Sequence, residues 1–265
     1  PPLVSILIPT KNRIDLLRAC ISSIVSKTSY PRYEILVIDN GSDCPETLSY
    51  LNELIRNPQI RVLRDDGPFN FSRLNNRAVA DAKGEVVVLL NNDTEVIAPE
   101  WLEAMVALAV LPQIGAVGAK LLFPDGTIQH GGVILGLGSC ASHAHAGFPQ
   151  GELGYFGRAQ LLQMMTAVTG ACLAVRKPVY EEVGGLDKQE LPVAFNDLDF
   201  CLKLRERGYW NVWTPLAVLV HHESVSRGYE VTSDKKRRYY NEMSIVKKRW
   251  PASFYHDPAY NPNLS

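Results

Sequence analysis

Three polar residues, Asn91, Asn92 and Asp93, follow the most strand-like apolar stretch of the chain, residues 85–90. A carboxylate just beyond a buried strand suits a hard divalent cation, because Mg²⁺ and Mn²⁺ prefer oxygen ligands and often share them with substrate phosphates. Asp93 could equally cap a turn, since Asn and Asp are common turn residues. The motif therefore makes Asp93 a candidate metal ligand whose partners must come from other parts of the chain.

A second polar group ends the predicted strand 217–220, where His221 and His222 stand side by side. A histidine at a strand end could complete the coordination of the same cation. Arg227 follows shortly afterwards, and its planar guanidinium matches two oxygens of a diphosphate. A solvated loop is the alternative interpretation of this segment.

A pair of carboxylates opens the predicted helix 196–207. Asp197 and Asp199 are two residues apart, so they cannot share one face of a helix. One of them can point into a site while the other caps the helix or pairs outside it. Transfer to a hydroxyl needs a base within hydrogen-bond reach, but a carboxylate in a first helical turn is normally stabilised in its charged form. The local pattern alone favours capping.

Further candidate ligands lie near other predicted strands. Asp39 and Asp66 could accept a hydrogen bond from the imide N–H of uracil or thymine, or they could be turn residues. The small residues at 169–171 would let a ligand approach the backbone closely, with tight packing as the alternative. His143 and His145 have the spacing of zinc ligands, but no cysteine or carboxylate lies nearby, so we do not expect a zinc site there.

Alternating strands and helices must position these residues. Unbroken apolar runs indicate buried strands, and apolar residues at helical spacing indicate the helices between them. The alternation predicts an α/β fold with a parallel sheet whose ligands bind beyond the carboxyl ends of the strands. The strand-end residues above, together with Pro9 and Thr10, should converge on one crevice. The predicted strands of this half are 4–9, 34–39, 61–64 and 85–90, and the helices are 12–26 with Asn12 as N-cap, 45–56, 71–82 and 99–110.

The pattern changes after residue 111. Residues 138–160 are rich in Gly, Ser, Ala and His with little periodicity, which predicts a long functional or mobile loop. The basic segment 235–249 should form a terminal helix that either contacts a membrane or presents a solvated face, and we favour the solvated face. The other elements predicted here are strands 115–122, 128–137, 168–175 and 209–220, and helices 177–183 and 196–207.

The composition is that of a soluble globular protein. The chain has 265 residues, of which 46% are hydrophobic, and 27 Lys and Arg balance 28 Asp and Glu. A net charge near zero argues against a general nucleic-acid-binding protein, which normally carries a basic face. The five cysteines form no CxxC pair, which favours free thiols in a reducing, cytoplasmic compartment. We expect no signal peptide and no membrane span, and the abrupt start and loose tail indicate a domain of a longer polypeptide.

Taken together, several stretches resemble glycosyltransferase family 2 in their order and spacing, over roughly residues 3–230. The resemblance rests on VSILIPTKNR, EILVIDNGSD, VVVLLNNDT, VTGACLAVRK, ELPVAFNDLDFCLKLRERGYWNVWTP and HHESVSRG. The stretches GPFNFSRLNNRAV, KLLFPDGTIQHGG and HHESVSRG are typical of bacterial members that build O-antigen and other surface polysaccharides, rhamnosyltransferases among them.

The resemblance implies a GT-A fold, in which a Rossmann-like, mainly parallel central sheet is flanked by helices and a smaller mixed sheet lies on the acceptor side. It implies one domain with a nucleotide-sugar-binding half (1–95), an acceptor and catalytic half (96–230), and a terminal helix and tail (231–265). The implied reaction is an inverting transfer from a UDP- or dTDP-sugar to a hydroxyl of a glycan. The implied acceptor is a growing glycan on a lipid carrier. Peripheral contact at the inner face of the membrane would come through the basic terminal helix.

Carried over residue by residue, the resemblance assigns Asp197 as the catalytic base, with Asn196 in place of the family's Glu and Asp199 as the alternative. Asp93 becomes the ligand of Mn²⁺ or Mg²⁺ and His221 its co-ligand, next to the more variable His222. The motif's first position is Asn91, which leaves the ribose contact of that position open. The implied nucleotide-binding residues are Pro9, Thr10, Arg13, Asp39, Asp66, Arg73, Asn91, Asn92 and Arg227, and the sugar- or acceptor-side residues are Gln129, His130, Gly170, Ala171 and Asp199.

Two other functions were weighed against the transferase. A sugar nucleotidyltransferase would share the doubly wound half and the metal carboxylates, but it normally carries a Gly-rich loop after the first strand, where residues 9–13 of this chain contain no glycine. A non-catalytic carbohydrate-binding module would not need a metal, a base and a nucleoside pocket together. Slow hydrolysis of a nucleotide sugar in the presence of Mn²⁺ distinguishes a transferase from both.

Overall fold

Strands and helices alternate along the chain, as the apolar pattern predicts. The computed structural model describes residues 1–138, 140–222, 232–261 and 263. Its strands are β1 (Val4–Thr10), β2 (Tyr33–Asp39), β3 (Ile60–Arg64), β4 (Val86–Leu90), β5 (Thr94–Val96), β6 (Ile114–Leu122), β7 (Ile128–His130), β8 (Val133–Leu135), β9 (Ala141–His143), β10 (Gln163–Met165), β11 (Cys172–Arg176) and β12 (Trp210–His221). Its helices are α1 (Ile14–Lys27), α2 (Pro45–Leu54), α3 (Phe71–Asp81), α4 (Trp101–Ala109), α5 (Lys177–Glu182), α6 (Asn196–Glu206), α7 (Ser233–Arg249) and α8 (Pro251–Tyr255), and a 3₁₀ turn spans Tyr155–Gly157.

The first four strands form the parallel half of the central sheet. Their order is β4-β1-β2-β3, and each neighbouring pair is parallel. Along β1, Val4, Ile6 and Ile8 pack into one apolar cluster and Leu7 packs into the other, because successive side chains of a strand point to opposite faces. Helices α1, α2 and α3 follow β1, β2 and β3, as parallel strands require. The expected parallel α/β half is confirmed.

The second half of the sheet is mixed. β11 lies between β4 and β6 and is antiparallel to both, so one sheet continues through both halves of the chain. β12 is parallel to β6, and the short strand β5 pairs antiparallel with β12. β8 and β9 form a separate small antiparallel sheet. The predicted architecture of a mainly parallel central sheet with a smaller additional sheet is therefore observed, although the smaller sheet is antiparallel.

Some element boundaries differ from the prediction. The predicted strand 128–137 is divided into β7 and β8, because the chain turns at Gly132, whose φ is 99°. A Cβ on that glycine would lie 2.5 Å from the side chain of Met165, so this turn needs glycine. The predicted loop 138–160 contains β9 and the 3₁₀ turn. Strands β5 and β10 and helix α8 are too short to show a periodicity, and the sequence did not predict them.

The predicted N-cap of the first helix is wrong. Arg13, with φ 49°, occupies that position, and Asn12 is also left-handed, with φ 52°. The side-chain oxygen of Asn12 instead accepts hydrogen bonds from the backbone N–H groups of Asp43 and Cys44. Asn12 therefore ties the β1–α1 loop to the β2–α2 loop, which a purely local capping rule could not anticipate.

Helices cover both faces of the sheet. One apolar cluster includes residues of α1, α2 and α4, and the other includes residues of α3, α6 and α7. Each fully buried Val, Leu, Ile or Phe side chain contributes about 1.5–3 kcal/mol. Met243 and Val246 place α7 in this packing, so the basic terminal helix is amphipathic. In the described part of the chain, no helix is both long and apolar enough to cross a membrane. The five cysteines are free thiols.

Candidate active site

A cavity opens at the carboxyl ends of β1 and β4. Its volume is about 640 Å³, and residues from both halves of the sheet face it. Open α/β sheets bind their ligands at this edge. The predicted site residues that line the cavity are Pro9, Thr10, Arg13, Asn91, Asn92, Asp93, Gln129, Gly170, Ala171, Asp197 and His221.

Strand pairing brings Asp93 and His221 together. β5 and β12 are antiparallel, with His221 opposite Thr94. This register leaves Oδ1 of Asp93 3.2 Å from Nε2 of His221. The two residues are only 2% and 7% exposed. Nε2 of His222 instead lies 2.8 Å from Oε1 of Glu95, so the structure directs His221, not its neighbour, towards the cavity.

These two residues fit a divalent cation that is shared with a substrate. A carboxylate oxygen and an imidazole nitrogen are both ligands that Mn²⁺ accepts. Among the residues that the structure describes, no group of three or more His, Cys, Asp or Glu side chains is arranged as a metal site. The remaining ligands would be phosphate oxygens and water, as is usual for cations bound with phosphorylated substrates. Arg227, the predicted diphosphate ligand, lies outside the described residues.

Polar contacts hold the ring of His221 from two sides. Oε1 of Gln129 lies 2.6 Å from its Nδ1, and Nδ2 of Asn91 lies 3.2 Å from its Nε2. Asn92 makes a different contact, because its Nδ2 donates to Oγ1 of Thr10 at 2.9 Å. The resemblance implied that Gln129 lies nearer the acceptor, whereas the structure brings it against the proposed metal ligand. The sequence offered no signal for this contact between residues 92 positions apart.

Asp197 lies in the first turn of α6 and faces the cavity. Its Oδ2 accepts a hydrogen bond from the N–H of Gly170 at 2.9 Å, and its Oδ1 accepts one from the N–H of Leu198 at 2.8 Å. Phe195, with φ 57°, turns the chain into the helix. These contacts fix the direction of the carboxylate, which a general base requires.

Asp197 also borders a second, smaller cavity of about 170 Å³. Most of the wall of this cavity is apolar, with Val133, Val168 and Leu198 among its residues. A carboxylate in the shared wall can take a proton from a group in one cavity while that group reacts with a molecule in the other. The residues common to both cavities are His143, Thr169, Phe195 and Asp197.

Asp199, the alternative base, lies outside the cavity. Its Oδ1 accepts hydrogen bonds from Nη1 of Arg249 at 2.8 Å and from Nε1 of Trp250 at 2.9 Å. Its Oδ2 lies 3.4 Å from Nζ of Lys203, and the side chain is fully buried. The two carboxylates of this helix therefore point to different sides, as their spacing predicts, and Asp199 is occupied by an ion-pair network.

Helix α7 holds the segment that leads into α6. Oε2 of Glu242 accepts hydrogen bonds from the backbone N–H groups of Val193 and Ala194. The ring of Tyr239 packs on that of Phe195, with centroids 5.0 Å apart. The sequence predicted a solvated or membrane-facing helix here. Most positions of this helix are charged or polar, so the few residues that pack against the core did not produce a clear apolar pattern.

Three predicted nucleotide-binding residues lie beside the cavity and not in its wall. Asp39 ends β2 and pairs with Arg64, which also lies 2.7 Å from the exposed Asp66. Arg73 pairs with Asp65, a buried carboxylate at the end of β3. Asp39, Asp66 and Arg73 therefore lie along the carboxyl ends of β2 and β3, on the same edge of the sheet as the cavity.

His130 lies behind the cavity wall. It is fully buried, and burial lowers its pKa well below the usual range, so the ring is neutral. Its Nε2 accepts a hydrogen bond from the N–H of Thr169 at 3.4 Å, and its Nδ1 lies 2.8 Å from Nδ1 of His143. His143, which the sequence did not assign to this site, is the histidine of this pair that lines the cavity.

The chain matches the model of a known protein family. Residues 5–184 match the family described as Glycosyl transferase family 2. The matched part is more than half of the chain and includes Asp93. It ends before Asp197 and His221, whose roles rest on their geometry and on the motifs of the sequence.

Curated proteins that are similar to the chain include much longer ones. The chain is 52% identical over its full length to the uncharacterized protein y4gI of Sinorhizobium fredii and spans 29% of that protein. It is 38% identical, again over its full length, to the O-antigen biosynthesis protein RfbC of Myxococcus xanthus and spans 20% of it. It is 25% identical to the N-acetylglucosaminyl-diphospho-decaprenol L-rhamnosyltransferase of Mycobacterium tuberculosis, over 82% of the chain and 75% of the relative.

Solved structures with the same fold include glycosyltransferases. GalNAc-T7 in complex with UDP, GalNAc and Mn²⁺ matches with a TM-score of 0.75 and 18% identity, over 96% of this chain and 50% of that one. The mannosyltransferase PcManGT from Pyrobaculum calidifontis, in complex with GDP-Man and Mn²⁺, matches with a TM-score of 0.67 and 18% identity, over 93% and 64% of the two chains. The GT-A fold that the sequence resemblance implied is confirmed.

Proposed function

Because the chain belongs to glycosyl transferase family 2, we propose that it transfers a sugar from a nucleoside-diphosphate sugar to a hydroxyl of a glycan acceptor, with inversion at the anomeric carbon. One observation carries the proposal. The Asp93–His221 pair and the carboxylate of Asp197 line the same cavity. The pair suits a metal-bound diphosphate, and the carboxylate suits a hydroxyl that must lose a proton. A module that only binds carbohydrate needs neither.

The diphosphate of the donor lies beside Asp93 and His221, which hold Mn²⁺ or Mg²⁺. When bound, the cation neutralises the negative charge that develops on the departing diphosphate. The burial of both ligands supports this role, because electrostatic interactions are stronger away from water. The two similar structures that contain a nucleotide together with Mn²⁺ also support it. Arg227 is proposed beside the same diphosphate, on the resemblance alone.

The nucleoside extends from the cavity along the ends of β1 and β2. Pro9, Thr10 and Arg13 line this side of the cavity. Asp39 accepts the imide N–H of uracil or thymine, which makes the donor UDP- or dTDP-linked. Arg64 and the N–H of Ser42 bind the Asp39 carboxylate and hold it at the end of β2, which supports a fixed acceptor at this point. Asp66 and Arg73, near the end of β3, are proposed as further nucleoside-binding residues. Asn91 and Asn92 line the cavity where the diphosphate joins the sugar.

Asp197 is the proposed catalytic base. The acceptor occupies the smaller cavity, and its hydroxyl loses a proton to Asp197 while its oxygen forms a bond to the anomeric carbon. The bond between that carbon and the diphosphate oxygen breaks on the opposite face, which inverts the configuration. Gly170 supports this role, since its N–H orients the carboxylate. General-base assistance of this kind accelerates a reaction about 10²–10⁴-fold.

The acceptor is proposed to be a growing bacterial surface glycan. Support comes from the similarity to an O-antigen biosynthesis protein and to a rhamnosyltransferase named for a decaprenol-linked acceptor. A lipid-linked acceptor would bring the enzyme to the inner face of the membrane as a peripheral protein. The chain spans 20–29% of its first two relatives, so neighbouring domains are proposed as further partners.

Thermal denaturation with UDP, GDP and dTDP, each with Mn²⁺ or with EDTA, tests the proposal. A ligand present at 100 times its dissociation constant stabilises a protein by about 2.7 kcal/mol. We expect UDP or dTDP to raise the melting temperature only in the presence of Mn²⁺, and the matching nucleotide sugar to be hydrolysed slowly. Stabilisation that is equal in EDTA, or no stabilisation by any diphosphate, contradicts the proposal. Release of pyrophosphate from a nucleoside triphosphate and a sugar phosphate would indicate a nucleotidyltransferase.

A further inference from the structure

Gln129 forms two hydrogen bonds with one residue, His221. Its Oε1 lies 2.6 Å from Nδ1 of the imidazole, and its Nε2 donates to the backbone carbonyl oxygen of His221 at 3.3 Å. Gln129 is 4% exposed and His221 is 7% exposed. A side chain that binds both the ring and the main chain of its neighbour restricts the rotation of that ring about its bonds.

These two bonds decide which ring nitrogen carries the proton. The backbone carbonyl oxygen can only accept, so it fixes the NH₂ end of the Gln129 amide towards the main chain and the oxygen end towards the ring. The oxygen also can only accept, so Nδ1 of His221 must carry a hydrogen. In the neutral imidazole, Nε2 is then left with its lone pair, which faces Oδ1 of Asp93 at 3.2 Å. Because Oδ1 also only accepts, the contact between these two atoms is favourable when a proton or a cation lies between them. Asn91 agrees with this arrangement, because its Nδ2 lies within hydrogen-bond distance of Nε2.

An irregularity in β7 directs Gln129 towards His221. In the β6–β7 pairing, Leu121 is opposite His130 and Leu122 is opposite Ile128. Two residues of β7 therefore correspond to a single step along β6, and Gln129 is the extra one. Such a bulge re-aims the side chain it carries, and bulges are over-represented next to active sites. A regular pairing would have given Gln129 a partner in β6 and a side-chain direction set by the ladder.

We propose that Gln129 is a positioning residue that holds His221 as the Nδ1–H tautomer, with Nε2 available for the metal. The role in metal binding rests on the proposed function. The orientation of the ring is given by the hydrogen bonds of Gln129 and does not depend on that function. Partners that fix a metal-binding histidine in this way are typically worth 10- to 100-fold in metal affinity. Gln129 acts through its bonds to His221, so its loss should weaken the metal site without removing a ligand.

The tautomer can be read in the metal-free protein by long-range ¹H–¹⁵N correlation spectra after labelling with ¹⁵N-histidine. The chain has six histidines, and His221→Gln identifies the resonances of His221 by their loss. We expect the wild type to show a proton on Nδ1 of this residue and Gln129→Met to show a mixture of tautomers or the Nε2–H form. A wild-type spectrum in which Nδ1 of His221 carries no proton overturns the inference, whatever the enzyme does.

Mn²⁺ binding, followed by the electron paramagnetic resonance signal of the free ion, tests the consequence. Gln129→Met should weaken Mn²⁺ binding about 10- to 100-fold. Gln129→Glu keeps an acceptor for Nδ1 and loses only the bond to the carbonyl oxygen, so it should restore most of the affinity. Gln113→Met, at an exposed position, is the matched control and should leave the affinity unchanged.

A double-substitution cycle separates positioning from general destabilisation. In the His221→Gln background, Gln129→Met should weaken Mn²⁺ binding by less than 2-fold, because the ring that it positions is gone. Equal losses in both backgrounds, or equal losses for Gln129→Met and Gln129→Glu, overturn the inference. If wild-type protein binds no Mn²⁺ in either the absence or the presence of UDP, the proposed metal role fails, while the tautomer measurement still decides whether Gln129 sets the ring.

Discussion

The two chemical groups of the cavity are held in place by different means. Asp93 and His221, the proposed metal pair, stand at strand ends that the backbone hydrogen bonds of β5 and β12 join, and the N–H of His222 donates to the carbonyl oxygen of Asp93 at 2.9 Å. Asp197, the proposed base, stands at the start of a helix whose approach is held by side chains of α7. Glu242 binds the preceding backbone, and Arg249 binds Asp199.

The difference indicates where a distant substitution can act. A strand ladder distributes its stabilisation over many backbone bonds, so we expect the proposed metal pair to depend less on side chains outside the cavity than the proposed base does. The base depends on a few buried charges, and removing one partner of such a pair leaves the other without compensation. Changes in α7 should therefore affect the base and leave the metal pair intact.

The largest expected effect comes from the base. Asp197→Asn should lower the rate of transfer about 10²–10⁴-fold, because the amide cannot take the proton. The binding of the nucleotide with Mn²⁺ should stay within a factor of about 2, since the metal pair does not depend on this carboxylate. Rate measurements and calorimetric titration with the nucleoside diphosphate check both statements. A near wild-type rate would remove Asp197 from the role of base.

The metal pair should show the opposite behaviour. Asp93→Asn should weaken Mn²⁺-dependent nucleotide binding on the order of 100-fold, because even an indirect partner of a metal ligand is worth about 10- to 100-fold. Asp93 is the one carboxylate of its motif, so neither Asn91 nor Asn92 can replace its charge. Calorimetry with Mn²⁺ measures the change, and unchanged binding would exclude Asp93 from the site.

A substitution in α7 separates the two regions most directly. Arg249→Met leaves the fully buried Asp199 without its guanidinium partner, and we expect a loss of stability on the order of 3 kcal/mol. The transfer rate should fall at temperatures where the variant is folded, while its affinity for Mn²⁺ and nucleotide stays unchanged. Lys248→Met, one residue earlier at an exposed position, is the control. Equal losses of rate and of metal affinity in Arg249→Met would contradict the separation.

The smallest effect concerns an ion pair at the end of β3. The hydrogen bond from Arg73 lowers the pKa of Asp65 to about 2 from its ordinary value of 3.8. A folded-state pKa below the unfolded one stabilises the protein above about pH 4, and this contribution is lost as the pH falls towards 2. Arg73→Met should therefore cost about 1–2 kcal/mol at neutral pH, less than the full value because Arg77 also binds Asp65. Denaturant titrations from pH 7 to pH 2 should show the difference between the two proteins shrink below about pH 4, and a constant difference would contradict the assignment.

Most of the parallel half of the fold could be predicted from the sequence. β4 is apolar at every position and β2 has an unbroken apolar run between Glu34 and Asp39, and this is a local property of residues 33–39 and 86–90. The predicted crevice at the strand ends followed from the same pattern, since parallel strands end at one edge. The antiparallel direction of β11 could not be predicted in this way, because a strand that is buried on both faces has the same composition in either direction.

The candidate residues themselves were partly predictable. Asp93 and Asp197 stand out because carboxylates at a buried strand end and at a helix start are visible in a few consecutive letters. Other features depend on contacts over long sequence separations. Asp93 and Asp197 line the same cavity, His221 and not His222 faces it, and Arg249 binds Asp199. No local pattern contains that information.

What the sequence by itself determined is therefore most of the longer elements, their parallel core, and the residue types at their ends. The tertiary structure alone decided which of those residues meet. Its clearest contribution is Gln129, which looks like an ordinary strand residue and becomes the partner of His221 through one irregular pairing in β7. The physical reason is that periodicity and capping act within a few residues of the chain, whereas sheet order and strand register bring together groups 92 positions apart.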